Sequence, residues 1–145
     1  MNEELLSSLK QAMADSFVLY YKAHSYHWNV EGADFKQYHD LFGGIYEEIF
    51  GAIDDLAEHI RQLDDYAPTS LSQIKSLSMI SEDEEVVSAM SMVSRLLDAN
   101  NLTLASLMMA YRAADNATEL GLANFIQDRI AAHQKHGWML KATLK

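Results

Sequence analysis

Apolar residues recur along this chain at steps of three and four, the spacing that lines one face of an α-helix. Leu5, Leu9, Met13, Phe17, Tyr20, His24 and His27 keep that step and predict one long amphipathic helix from about residue 3 to residue 29. Val30-Glu31-Gly32-Ala33-Asp34 interrupts it. Phe35, Phe42, Ile45, Ile49, Ile53, Leu56, Ile60 and Leu63 then predict a second helix over roughly 35 to 65, stopping ahead of Pro68, which cannot continue a helix. Residues 66–82 are serine-rich and read as a connection in which Leu71, Ile74 and Leu77 make one short helix. Ser81 with Glu84 three residues on fits an N-cap and its capping glutamate, and Val86, Met90, Val93, Leu97, Leu104 and Met108 carry a third long helix to about residue 112. Leu120, Phe125, Ile130 and Leu140 mark a fourth, from near Ala117 to near Thr143. No strand pattern, fixed-period repeat or low-complexity run interrupts this reading.

Four long helices with a long crossover between the second and third, the crossover carrying a short helix of its own, is the all-α layout of ferritin-like four-helix bundles rather than of a simple up-down-up-down bundle. At 145 residues the chain is expected to form a single domain over 1–145. The absence of cysteine removes thiolate zinc sites, iron–sulfur clusters and thiol nucleophiles, so any metal must be held by imidazole and carboxylate. A formal charge of −10 repels phosphate backbones and attracts cations, which makes nucleic acid a poor partner. No long apolar run or basic leader is apparent, so the expectation is a cytoplasmic chain with no membrane contact.

Di-iron bundles commonly carry Glu-x-x-His pairs in their core helices, because side chains three apart share a face and grip one metal. No Glu-x-x-His occurs in this sequence. It offers instead His27 near the end of the first helix, His39 one turn into the second, and Asp54 and Glu58 four residues apart further along. A lone D-x-x-x-E is ordinarily a solvated acidic face, and two histidines at a helix turn are as often structural as ligating. The two halves lie about 22 Å apart along a straight helix, with angular positions only about 60° apart. They face one way but cannot meet within one chain. A two-fold axis near Glu47 and Glu48 would set His27 and His39 of one subunit against Asp54 and Glu58 of another, twice per dimer. Gly44 and Gly51 flank that crossing point; each costs on the order of 1 kcal/mol in a helix relative to alanine, and close helix approach would explain them, as would a kink.

The stretch His27-Trp28-Asn29-Val30-Glu31-Gly32-Ala33-Asp34-Phe35-Lys36-Gln37-Tyr38-His39, followed by Asp54-Asp55-Leu56-Ala57-Glu58, resembles the signature of the Dps family of mini-ferritins, and the C-terminal HQKHGWMLKATLK is similar to that family's last helix. The resemblance implies a hollow homo-dodecamer of four-helix subunits that acts as a ferroxidase. Ferrous iron is oxidised at dimer interfaces, typically by hydrogen peroxide, and stored as ferric mineral. By position, His27 and His39 would be iron ligands from one subunit and Asp54 and Glu58 from its neighbour. Trp28 would be an electron-transfer residue or simply an interface aromatic. No organic cofactor is implied.

Three departures from the family pattern stand out. Four residues after His39, where most members carry an aspartate, this chain has Gly43; Glu47 or water is then the candidate replacement, since Asp40 points about 100° away. The segment from Asn116 to Asn124, where members often line a pore with aspartates, offers mainly Glu119. The lysine-rich tail that binds DNA in some members has no counterpart, so direct DNA binding is not expected. Among the other histidines, His133 and His136 read as structural or solvated rather than as a metal pair, His24 as a neighbour of the site, and His59 as having no role. The methionines fall on apolar faces and read as core filling. Two functions from different classes remain open: an iron-oxidising store, and a metal-sequestering shell impaired at Gly43.

Overall fold

The computed structural model describes residues 2–145, which form five helices and no strand: α1 (Glu3–Asn29), α2 (Phe35–Gln62), α3 (Leu71–Leu77), α4 (Ala89–Asn116) and α5 (Leu120–Thr143). The Asn2 side chain caps α1 by accepting from the Leu5 amide at 3.0 Å, and Glu3 and Glu4 complement the helix dipole in the first turn. The α1–α2 turn is closed by Gly32 at φ 119°, a conformation that disfavours any side chain. Helix α2 stops at Gln62, short of residue 65, because Asp64 takes a left-handed φ of 65° ahead of Pro68. Ser70 caps the short crossover helix by accepting from the Gln73 amide. Helix α5 begins at Leu120 rather than near Ala117, since Thr118 (φ 58°) turns the chain left-handed and Glu119 fills the N-cap position.

The third long helix departs most from expectation. It starts at Ala89 with Ser88, not Ser81, as its N-cap, and runs to Asn116 rather than 112. Residues 81–87 stay out of the helix because Asp83 is committed elsewhere. It accepts from Lys22 Nζ at 2.9 Å, from Arg95 Nη1 at 2.7 Å and from the Tyr26 hydroxyl. These bonds pin the crossover to α1 and α4, and the Asp83 carboxyl is held below its ordinary range: burial alone would raise it, and the three donors outweigh that.

Contacts along the crossover fix the topology. Lys10 pairs with Asp65 at 2.6 Å, Asp15 accepts from Ser78 and the Met79 amide, and Asp83 reaches Lys22 and Tyr26. The chain therefore climbs the length of α1 before α4 begins. α1 packs against α2 and α4, α4 against α5, and the short α3 lies on α1. The core is two apolar clusters, one around Leu9, Leu56, Leu107 and Ile126, the other around Leu19, Phe42, Ile49, Val93 and Leu140. A polar belt separates them. No helix among the described residues is long and apolar enough to cross a membrane.

Candidate metal centre

The belt in the middle of the bundle occupies the level where di-iron bundles hold metal. Here Arg129 donates from Nη1 and Nη2 to Glu48 at 2.5 and 3.0 Å, and from Nη2 to His133 Nε2 at 3.2 Å. His136 Nε2 donates to Glu48 at 2.8 Å, and His133 Nδ1 donates to Asn100 Oδ1 at 2.9 Å. The guanidinium is a fixed cation between the carboxylate and the imidazole, so this cluster is built to hold an arginine and not a metal ion. Burial would raise the Glu48 pKa, yet hydrogen bonds from His136 and Arg129 drive it well below the carboxylate range. Burial, reinforced by the Arg129 charge, pushes His133 down to about 3, so it is neutral at physiological pH. His133 and His136 are thus buried structural groups.

The four residues singled out from the sequence divide as its spacing requires. His27, from the last turn of α1, and His39, from the second turn of α2, lie stacked with ring centroids 3.7 Å apart and planes 18° from parallel. Each ring binds the other's backbone: His27 Nδ1 donates to the His39 carbonyl and His39 Nδ1 to the His27 carbonyl, both at 2.7 Å. A carbonyl only accepts, so both protons sit on Nδ1 and both Nε2 atoms are left for a metal. Phe35 stacks on His39 at 5.0 Å. The helix turn has pre-oriented two imidazole donors.

Asp54 and Glu58 lie on the exposed face of α2 together with Asp55, and one carboxylate oxygen from each falls within 4.8 Å of the others. Sequence reasoning passed over Asp55, although its place beside Asp54 was the available signal. The histidines are not part of this cluster. α2 is unbroken from Phe35 to Gln62, which keeps His39 and Asp54 about 22 Å apart. Within one chain the imidazoles and the acids remain two separate groups.

Gly43 lies directly against the histidines: a Cβ there would sit 3.1 Å from His27 Nδ1 and 3.2 Å from Cε1. With His39 stacked on it and its Nδ1 bonded to a carbonyl, His27 has little freedom to give way. The missing carboxylate is therefore also a packing feature. A Cβ at Gly44 or Gly51 would meet nothing within 4 Å, so no contact inside the chain calls for glycine at either position. Glu48, placed by the spacing near the proposed axis, turns into its own bundle. Asp40 pairs outward with Lys36 at 3.1 Å, and His59 packs on Phe125.

An aromatic layer adjoins the histidines. Trp28, 54% exposed, contacts His24 at 4.1 Å between ring centroids; His24 lies flat on Tyr46 at 3.8 Å and 7°. Tyr46 is 5.2 Å from His27, and the Tyr20 hydroxyl is 2.9 Å from His24 Nδ1. Phe50, 57% exposed, continues the layer 4.9 Å from Tyr20.

Comparison with known proteins fits this architecture. The model of the ferritin-like domain family matches residues 6–145. Antigen TpF1 of Treponema pallidum is 34% identical over 97% of this chain and 80% of its own length. The DNA protection during starvation protein of Brevibacillus brevis is 33% identical, covering 94% and 92% of the two chains. The crystal structure of the Dps protein of Vibrio cholerae O1, described as a member of a broad superfamily of ferritin-like diiron-carboxylate proteins, superposes with a TM-score of 0.93 at 28% identity, over 99% of this chain and 91% of that one. Matched by the family model over nearly its whole length and by these relatives, with the bundle and crossover helix described above, this chain belongs to the ferritin-like family, in its Dps branch.

Proposed function

We propose that this chain is a ferroxidase and iron store. Ferrous iron is bound between two subunits by His27 and His39 of one and Asp54 and Glu58 of the other, with Asp55 beside them. It is oxidised by hydrogen peroxide or dioxygen and kept as ferric mineral inside a hollow homo-oligomer, a dodecamer built from two-fold dimers. Iron is the substrate and no organic cofactor is involved. The observation that best supports this reading is the reciprocal bonding of His27 and His39, which uses both Nδ1 atoms and leaves two Nε2 atoms without a hydrogen-bond role inside the pair. Relatives named for DNA protection during starvation, and one described as ferritin-like diiron-carboxylate, point the same way.

Neutral imidazoles suit the ferrous ion, and anionic carboxylates stabilise the added charge of the ferric product, so a mixed site lowers the cost of losing an electron. Peroxide takes two electrons as its O–O bond breaks and two protons are taken up, leaving two waters. Consuming it in this way spares other molecules from radicals. Protection then needs no contact with DNA, which the acidic charge disfavours, and a cytoplasmic location goes with it. Stopped-flow mixing of anaerobic, ferrous-loaded protein with peroxide is expected to give ferric absorbance faster than protein-free buffer.

The second reading, a shell that sequesters metal without turning it over, draws on Gly43. Peroxide-driven oxidation at the buffer rate, with metal still bound, would select it. Gly43→Ala separates the glycine's packing role from its helix cost. Alanine favours the helix by about 1 kcal/mol, but its methyl presses on a ring that has little freedom to give way, so thermal stability is expected to fall. Affinity for Co²⁺ or Zn²⁺, measured by titration calorimetry, is expected to fall several-fold because the new methyl displaces His27. Unchanged affinity would show that the ring yields freely.

A further inference from the structure

With Gly43 where a carboxylate is usual, this subunit contributes two imidazoles to the site with Glu47 as its candidate acid, and peroxide is a two-electron oxidant. Where a single iron is bound, it supplies one electron. The second must come from a group within reach. The aromatic layer leads from the ligands to such a group. His39 stacks on His27 at 3.7 Å, His27 meets Tyr46 at 5.2 Å, Tyr46 lies parallel on His24 at 3.8 Å, and His24 is 5.6 Å from Tyr20. No gap between successive ring centroids exceeds the 5.6 Å of the last step, and the path ends at a phenol. That phenol is the one in the layer hydrogen-bonded to a ring nitrogen, its hydroxyl 2.9 Å from His24 Nδ1.

A phenol loses an electron readily only if its proton leaves at the same moment, and an imidazole nitrogen at hydrogen-bond distance is suited to take it. We infer that Tyr20 and His24 form a proton-coupled redox pair that supplies the second electron to peroxide during iron oxidation. This rests on the ferroxidase reading above and assigns a role to residues that do not bind the iron. In the first step one ferrous ion and Tyr20 each give one electron to hydrogen peroxide. The O–O bond breaks, two protons from solvent complete two waters, the iron becomes ferric, Tyr20 becomes a neutral tyrosyl radical, and its proton rests on His24 Nδ1. In the second step another ferrous ion reduces the radical, and the proton returns from His24. The sum is two ferrous ions oxidised per peroxide with no radical released.

Trp28 also touches His24, at 4.1 Å, and is the competing donor. The path to Tyr20 is preferred because its hydroxyl has a proton acceptor in place, while no hydrogen bond accompanies the Trp28 stack.

The test is rapid freeze-quench electron paramagnetic resonance of the full-length protein, loaded anaerobically with less than one ferrous ion per chain and mixed with hydrogen peroxide. Ferric absorbance is followed in the same samples. The expected result is a tyrosyl signal that narrows when the protein carries ring-deuterated tyrosine. It should be lost in Tyr20→Phe, reduced in Tyr46→Leu and retained in Trp28→Phe. Tyr20→Phe removes only a hydroxyl, so its fold is expected to persist, and its ferric yield per peroxide should fall while a spin trap detects more hydroxyl radical. Iron oxidation without a tyrosyl signal, or a signal unchanged in Tyr20→Phe, would overturn this inference and leave the ferroxidase reading standing. Iron oxidation no faster than in buffer would overturn both.

Discussion

Arg129→Ala is expected to cost the fold about 3–5 kcal/mol, because it strips the cation from a half-buried carboxylate and opens a hole in the belt between the two apolar clusters. Glu48 would keep only its bond from His136, and His133 would lose the donor at Nε2. Urea unfolding at fixed protein concentration measures the loss. A loss under 1 kcal/mol would show that water reaches the belt and replaces the guanidinium. The double variant Glu48→Gln/Arg129→Met should lose less than the two single changes together, since it removes both charges at once. Acid should act in the same direction. His133 is pushed down to about 3 when folded against an ordinary 6.5, so the unfolded chain binds the extra proton. Its contribution is complete above pH 6.5 and is lost as pH falls toward 3, at roughly 1 kcal/mol per pH unit. Glu48, also depressed, adds to the loss below its ordinary value of 4.5. In His133→Asn the slope between pH 6.5 and 4.5 should flatten.

Why the helices were readable and this belt was not follows from what each depends on. The four long helices show in the sequence because one buried face repeats every three or four residues, and Pro68 and Gly32 punctuate it. The false N-cap at Ser81 had the right local chemistry, but Asp83 is used by Lys22, Tyr26 and Arg95, partners as much as 61 positions away in sequence for Lys22. Local pattern carries no trace of them. For the same reason Glu48, a residue on a helix face, was set at the surface crossing when its partners lie on α5. In the site, His27, His39, Asp54 and Glu58 were legible because spacing and helix phase are local properties. Reciprocal bonding, stacking and the fit of Gly43 were not, since each depends on how α1 meets α2 in space.

His39→Ala and Asp54→Ala should each bring peroxide-driven iron oxidation down to the buffer rate, a fall on the order of a hundredfold or more. The losses have different physical sources. His39→Ala removes one of two imidazoles and unstacks the other, since His27 rests on it and His39 Nδ1 anchors to the His27 carbonyl. Asp54→Ala removes an exposed anion without disturbing the core, so its melting temperature should match the wild type. That makes Asp54→Ala the cleaner probe of chemistry. Asp55→Ala is expected to lower activity less than Asp54→Ala, and an equal loss would make Asp55 a ligand in its own right.

A mixing experiment tests most directly whether the site is shared between subunits. Neither His39→Ala nor Asp54→Ala should be active alone. When the two are unfolded together and reassembled at equal amounts, a mixed dimer joins intact histidines of one chain to an intact Asp54 of the other at one of its two interfaces. Ferroxidase activity should then return to about a quarter of the wild-type value, because half of random dimers are mixed and each regains one site of two. Activity that stays at the buffer rate in the reassembled mixture, while reassembled wild-type chains are active, would contradict a shared site.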